Sequence, residues 1–286
     1  MKSTVNPLPK LFKYVGASGI KILQTRTLRF TRPSLLNDPF EVRPFLKTIG
    51  GEADWTKQLE SQMPAELDKK LAELPERLRQ LLPREVLLGH LNSQKPVMVE
   101  AMQQVLERLR PTMNTEFYKQ ADAVVGILSL TENPSDLLMW SHYADFHRGL
   151  VFEFDSIHGF FNRRRSESDE FYHLRRVVYS RQRLHVDLLR TDCLELFLTK
   201  GEEWAYEAEW RMMTPIQDCQ EVSADVHVQE FPIACLKTVI LGANSSPEFR
   251  NEVRSMLKGN ADFAHVRVLI ARLHAREYAL EFSEHE

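Results

Sequence analysis

The sequence predicts an α+β fold with a central mixed or antiparallel sheet and a helical insertion, on three observations. Short apolar runs at 124–130 (VVGILSL), 150–154 (LVFEF) and 238–241 (TVIL) read as buried strands. Residues 55–120 instead carry helical spacing, as in Leu67, Leu71, Leu74 and Leu78, or Val99, Met102, Leu106 and Leu109. Strands and helices come in runs and singles, without the regular alternation of a parallel βαβ protein.

In chain order, residues 11–14 and 27–30 read as strands around an amphipathic stretch at 18–24, and Pro33 and Asn37-Asp38-Pro39 force a loop. The helical segment is expected to break near Pro64, Pro75, Pro83, Pro96 and Pro111. After the strand at 124–130, Ser135 or Asp136 caps a helix over 137–147 that ends in a left-handed turn at Gly149. Strands follow at 150–154 and 176–179, with the polar stretch 162–170 exposed between them. Residues 186–200 read as a helix, 207–213 and 238–241 as strands, 247–257 as a helix, and 266–270 and 277–282 as closing strands. The boundaries drawn are one α+β domain over 1–286 with a helical insertion or subdomain at 52–120.

With 43% apolar content over 286 residues the chain can bury a large core, and a formal net charge of −3 gives no global pull toward nucleic acid or anionic lipid. The start MKSTVNPLPKLFKY lacks the apolar run of a signal peptide, so the expected location is cytoplasmic, with no membrane partner. Cys193, Cys219 and Cys235 are odd in number and widely spaced, as reduced core thiols are.

Three motifs concentrate the chemistry: NDPFE at 37–41, MWSHYADFHRG at 139–149 and WAYEAEWR at 204–211. Read as a strand, the last places Trp204, Tyr206, Ala208 and Trp210 on a packing face and Glu207, Glu209 and Arg211 on an available charged face. Two carboxylates beside a guanidinium can hold a hydroxyl or stabilise a developing cation; the bland alternative is an exposed salt-bridged strand. Helical spacing brings Trp140, Tyr143 and His147 to one face, with His142 displaced, to stack a flat ring or simply to pack the core. His142 and His147 are five apart and no HExxH occurs, so no metal site is expected. In NDPFE, either Phe40 plugs the core while Asn37 and Asp38 close a turn, or Asn37, Asp38 and Glu41 face a ligand.

FKY, LRFTRPSLLNDPFE, ILSLTENPSDLLMWSHYADFHRGLVFEFD, TKGEEWAYEAEWR and VILGANSS, in this order, resemble an uncharacterised bacterial family, a domain of unknown function. The layout further resembles a diverged relative of the ADP-ribosyltransferase fold, whose sheet is split. That resemblance implies NAD as the substrate and loss of nicotinamide, with a late glutamate on the ribose: Glu209 first, Glu207 second. It implies that Lys13 or Tyr14 meets the adenosine ribose or phosphates, that Tyr143 or Trp140 stacks nicotinamide and that Arg211 fixes the glutamates. Asn37, Asp38 and His142 join the expected binding set, and Tyr143 and His147 the catalytic one. The early His or Arg of the transferase pattern is absent. The expected partners are a nucleotide, nucleic acid and a second copy of the chain, in a toxin or phage-defence setting. The alternatives are another nucleotide- or nucleic-acid-processing enzyme using Glu207, Glu209 and His147, and a ligand or nucleic-acid sensor without turnover.

Overall fold

The computed structural model describes residues 9–43, 45–48, 51–187 and 194–284. The first elements are β1 (Leu11–Val15), α1 (Lys21–Thr25), β2 (Thr27–Phe30), β3 (Phe45–Thr48), α2 (Glu52–Glu73), α3 (Glu76–Leu81) and α4 (Arg84–Val124). Next come β4 (Val125–Thr131), α5 (Leu137–Tyr143), β5 (Leu150–Phe154), β6 (Leu174–Arg176), β7 (Val178–Ser180), β8 (His185–Asp187), α6 (Glu195–Leu198) and β9 (Thr199–Gly201). The chain closes with β10 (Glu209–Pro215), β11 (Gln220–Ser223), β12 (Val226–Glu230), β13 (Leu236–Leu241), α7 (Pro247–Lys258), β14 (Arg267–Leu273) and β15 (Leu280–Ser283). These make two compact units: Met1–Val42 with Gln120–Gln182 and Phe197–Glu286, and Arg43–Lys119 with Arg183–Leu196.

The first unit is built on an eight-stranded mixed sheet in the order β15-β14-β13-β5-β1-β4-β10-β6. β13 and β14 run parallel around α7, and the other neighbours are antiparallel. Alternation along the strands feeds two apolar layers. Leu11, Leu128, Leu130, Phe152 and Val239 enter one with Leu23 and Val253, while Phe12, Tyr14, Val151 and Ile240 enter the other with Trp140. Central strands covered on both faces read as continuous apolar runs, which is why 124–130 and 150–154 are conspicuous in sequence.

The sheet parts between β1 and β4. β1 pairs with β5 over all five of its residues and β10 with β4 over seven, whereas β1 meets β4 at Phe12↔Thr131. Past that point Thr31, just after β2, exchanges both backbone hydrogen bonds with Ile127 and takes over the vacated edge of β4. The gap between the strands is where the candidate site lies.

Several expectations are corrected. α5 ends at Tyr143, because Asp145, Phe146 and His147 adopt left-handed φ of 49°, 52° and 67° in succession. Gly149 is therefore no left-handed cap. It is required for close approach, since a Cβ there would lie 2.1 Å from the Val15 carbonyl oxygen, and one on Gly242 would lie 2.0 Å from that of His147. WAYEAEWR is not one strand: Glu202–Glu207 form a 3-10 helix, Ala208 is left-handed at φ 41°, and β10 begins at Glu209. The helix expected over 186–200 is replaced, among the described residues, by β8, α6 and β9. The strand expected at 176–179 is interrupted at Val177, whose N–H is taken by the Glu209 carbonyl. Phe40 is 63% exposed and plugs nothing. Cys235 is a buried free thiol, Cys219 a half-buried one, and Cys193 lies outside the described residues.

The second unit holds α2, α3, most of α4 and the parallel pair β3 and β8. Pro75 and Pro83 stand at helix ends, as expected, but Pro64, Pro96 and Pro111 lie inside α2 and α4. Each removes one backbone donor, and the helices continue through them; Met63 beside Pro64 and Val99 one turn after Pro96 are buried. No helix among the described residues is long and apolar enough to cross a membrane.

Candidate functional site

A cavity of about 220 Å³ opens where the sheet parts, lined by residues of β1, β4, β9, β10, α5 and the NDPFE loop. β10 starts with Glu209 and Arg211 on one face, in register with Thr131 and Ser129 of β4. The left-handed Ala208 reverses the chain just before them and turns Glu207, off the 3-10 helix, onto the same wall. Alternation thus misassigned the element yet put the three charges together; they are buried, not displayed on a free face.

The common partner of Glu207, Glu209 and Glu41 is Lys200 on β9. Its ammonium lies 2.6 Å from Glu207, 3.5 Å from Glu209 and 3.6 Å from Glu41, with the Trp204 ring 4.7 Å away. Arg211, 1% exposed, forks onto both Glu209 oxygens at 2.8 Å and donates to the Phe197 carbonyl and to Glu41. Such desolvated pairs hold because each charge is answered by fixed donors or acceptors. One atom is left over: Oε2 of Glu41 is buried without a partner. Val42 beside it is buried at φ 53°, a conformation that β-branched residues strongly disfavour.

The two neighbouring glutamates are driven apart in acidity. Burial raises Glu207 above the usual carboxylate range, only partly offset by Lys200, and Glu209 repels it further. Burial alone would raise Glu209 too, but Arg211 and Lys200 hold it down at about 2. Lys200 and Arg211 are both raised by the surrounding carboxylates against the penalty of burial. The Tyr143 hydroxyl donates to Glu207 at 2.5 Å and accepts from Asn37. Lys13 faces the cavity from β1 and donates to the Ser129 carbonyl at 2.9 Å; burial brings its ammonium down to about 8 against the pull of Glu209.

Of the expected site residues, Lys13, Tyr14, Asn37, Tyr143, Glu207, Glu209 and Arg211 line this cavity. Others do other work. Trp140 is fully buried, stacked on His147 at 6.0 Å, crossed by Tyr14 at 5.3 Å and bonded through its indole N–H to the Pro134 carbonyl, so no ring can stack on it. His147 is held below its usual pKa by burial and sits 3.3 Å from the Ser141 hydroxyl. His142 meets the Tyr206 hydroxyl at 3.2 Å, and Asp38 closes its own turn by accepting from the Phe40 N–H. Tyr14 has its hydroxyl committed to the Asn133 carbonyl. Lys200, Ser129 and Thr131 were missed. Lys200 stands seven and nine residues before the glutamates on a separate strand, β9, so no period within one element joins it to them.

Among the described residues no group of three or more His, Cys, Asp or Glu side chains is placed to hold a metal ion. Residues 139–212, which run from the Trp140 motif through Glu209, match a protein family described as a protein of unknown function, DUF2971. No curated protein and no solved structure matches the chain.

Proposed function

We propose that this protein cleaves the bond between nicotinamide and ribose in NAD, releasing ADP-ribose to water or to an acceptor. One observation carries the reading: Glu207 and Glu209 share a cavity wall and a lysine, yet their surroundings push their acidities in opposite directions. A carboxylate pair divided in this way is how acid–base and electrostatic roles are separated at one site.

In the proposed reaction the C–N bond breaks as positive charge builds on the ribose, and nicotinamide leaves as a neutral base. Glu209, kept ionised, supplies a fixed negative field for that charge. Glu207 accepts a hydrogen bond from a ribose hydroxyl and takes the proton of the attacking water or acceptor, with Tyr143 and Lys200 holding its carboxyl in place. A cavity of about 220 Å³ takes a pentose and one ring, leaving the adenosine half at the mouth. Stacking of nicotinamide then falls to Tyr143, since Trp140 is covered. Nucleic acid is the acceptor class to test first, as in a toxin or phage-defence effector.

A ligand sensor without turnover is the second reading, favoured by how completely Arg211 occupies the oxygens of Glu209. Chromatography of NAD incubated with the purified protein, alone and with DNA or RNA, separates the two. Release of nicotinamide, lowered at least about 100-fold in Glu209→Gln, is the expected result. A rise in Tm with NAD but no release supports the sensor, and neither effect sinks both.

A further inference from the structure

Lys13, partly buried, differs from the buried cations of the site. Lys200 and Arg211 are surrounded by carboxylates, whereas Lys13 donates to one backbone carbonyl, that of Ser129, and among the described residues has no ion-pair partner. Its amine therefore has hydrogens and, when neutral, a lone pair to offer the cavity it lines. We propose that Lys13 is an imine-forming nucleophile and that the cavity accepts small aldehydes, the class to which a ring-opened pentose belongs. A sugar freed at its anomeric carbon opens to such an aldehyde, but the step needs only the cavity and not cleavage of NAD.

The neighbouring groups fit each stage. The Nζ lone pair attacks the carbonyl carbon, the C–N bond forms, and one amine proton passes to the oxygen to give a carbinolamine. Glu207, whose burial favours the protonated form, gives that hydroxyl a second proton; water leaves and a protonated imine remains. Glu209, ionised, faces the new cation. At pH 7 an amine titrating at about 8 is neutral roughly 300 times more often than an exposed lysine at 10.5, with Glu209 and Glu207 opposing that shift and Arg29 adding to it. Neutral amines form imines, so the local electrostatics and the open lone pair point the same way.

The test is reductive trapping. The full chain is incubated at pH 7 with glyceraldehyde and sodium cyanoborohydride, and lysine modification is followed by peptide mass mapping. Lys13 is expected to be modified at least about tenfold faster than exposed Lys21 or Lys69, and Glu207→Gln to slow Lys13 alone. Modification of Lys13 no faster than of exposed lysines, or preferential modification of Lys200, overturns the inference. The wild-type map decides this even if the variant fails to fold. Nicotinamide release without Lys13 trapping refutes this inference and leaves the NAD reading standing, while trapping without release does the reverse.

Discussion

Between Glu207 and Glu209 stands a single residue, and its backbone decides where both carboxyls go. Ala208 at φ 41° occupies a region that glycine enters freely and β-branched residues resist. Ala208→Gly is therefore expected to stay within about 0.5 kcal/mol of wild type, and Ala208→Val to lose about 1–2 kcal/mol, read by urea unfolding. The two acids themselves should respond unequally. Glu209→Gln strips the charge that answers Arg211 and is expected to cost about 3–5 kcal/mol, whereas Glu207→Gln, at a carboxyl that burial raises and that pairs with Lys200 without an arginine fork, is expected to cost less. Equal losses would show that the two acids share one electrostatic role.

At the scale of elements, the pieces that shape the cavity are held by close contacts that sequence patterns see only indirectly. The run Asp145-Phe146-His147 folds back in a left-handed turn, and Gly149 and Gly242 let its backbone approach β1 and the end of β13. Gly149→Ala and Gly242→Ala should each destabilise by about 3 kcal/mol or more, because the added methyl meets a backbone oxygen rather than a movable side chain. A thermal melt unchanged by either substitution would contradict that packing.

The same contrast explains what the sequence made legible. The strands at 125–131 and 150–154 and the helix at 247–258 were readable because burial imposes a period on them. The left-handed turns at Ala208 and His147 lie outside the conformations that a helical or strand period describes, so spacing predicts a helix longer than α5 and a strand where Glu202–Glu207 form a 3-10 helix. Glu207, Glu209, Arg211 and Tyr143 were found because local spacing or chemistry marked them. Lys200 joins them only through β9, and nothing local announces it; Trp140 looked like a stacking platform because sequence does not show that His147 covers it.

At the scale of the whole molecule, a sheet that parts between β1 and β4 surrounds a cavity with opposed charges, and this leaves a signature in stability against pH. Glu209 titrates at about 2 when folded against 4.5 when unfolded, so the stability it contributes is complete above about pH 4.5 and is lost as pH falls toward 2. Glu207, raised, acts in the opposite sense and withdraws stability as pH climbs from 4.5 toward its folded value. Lys13 titrates at about 8 folded and 10.5 unfolded, so it adds stability as pH rises between those values, and Lys13→Met should remove that slope from a urea-unfolding series run from pH 7 to 11.

The most direct test of the central claim is a crystal structure of the protein with ADP-ribose. The ribose is expected in the cavity between β1 and β4, with one of its hydroxyls on Glu207 and its anomeric carbon facing Glu209. ADP-ribose bound elsewhere, with the Glu207, Glu209 and Lys200 cluster untouched, would contradict it.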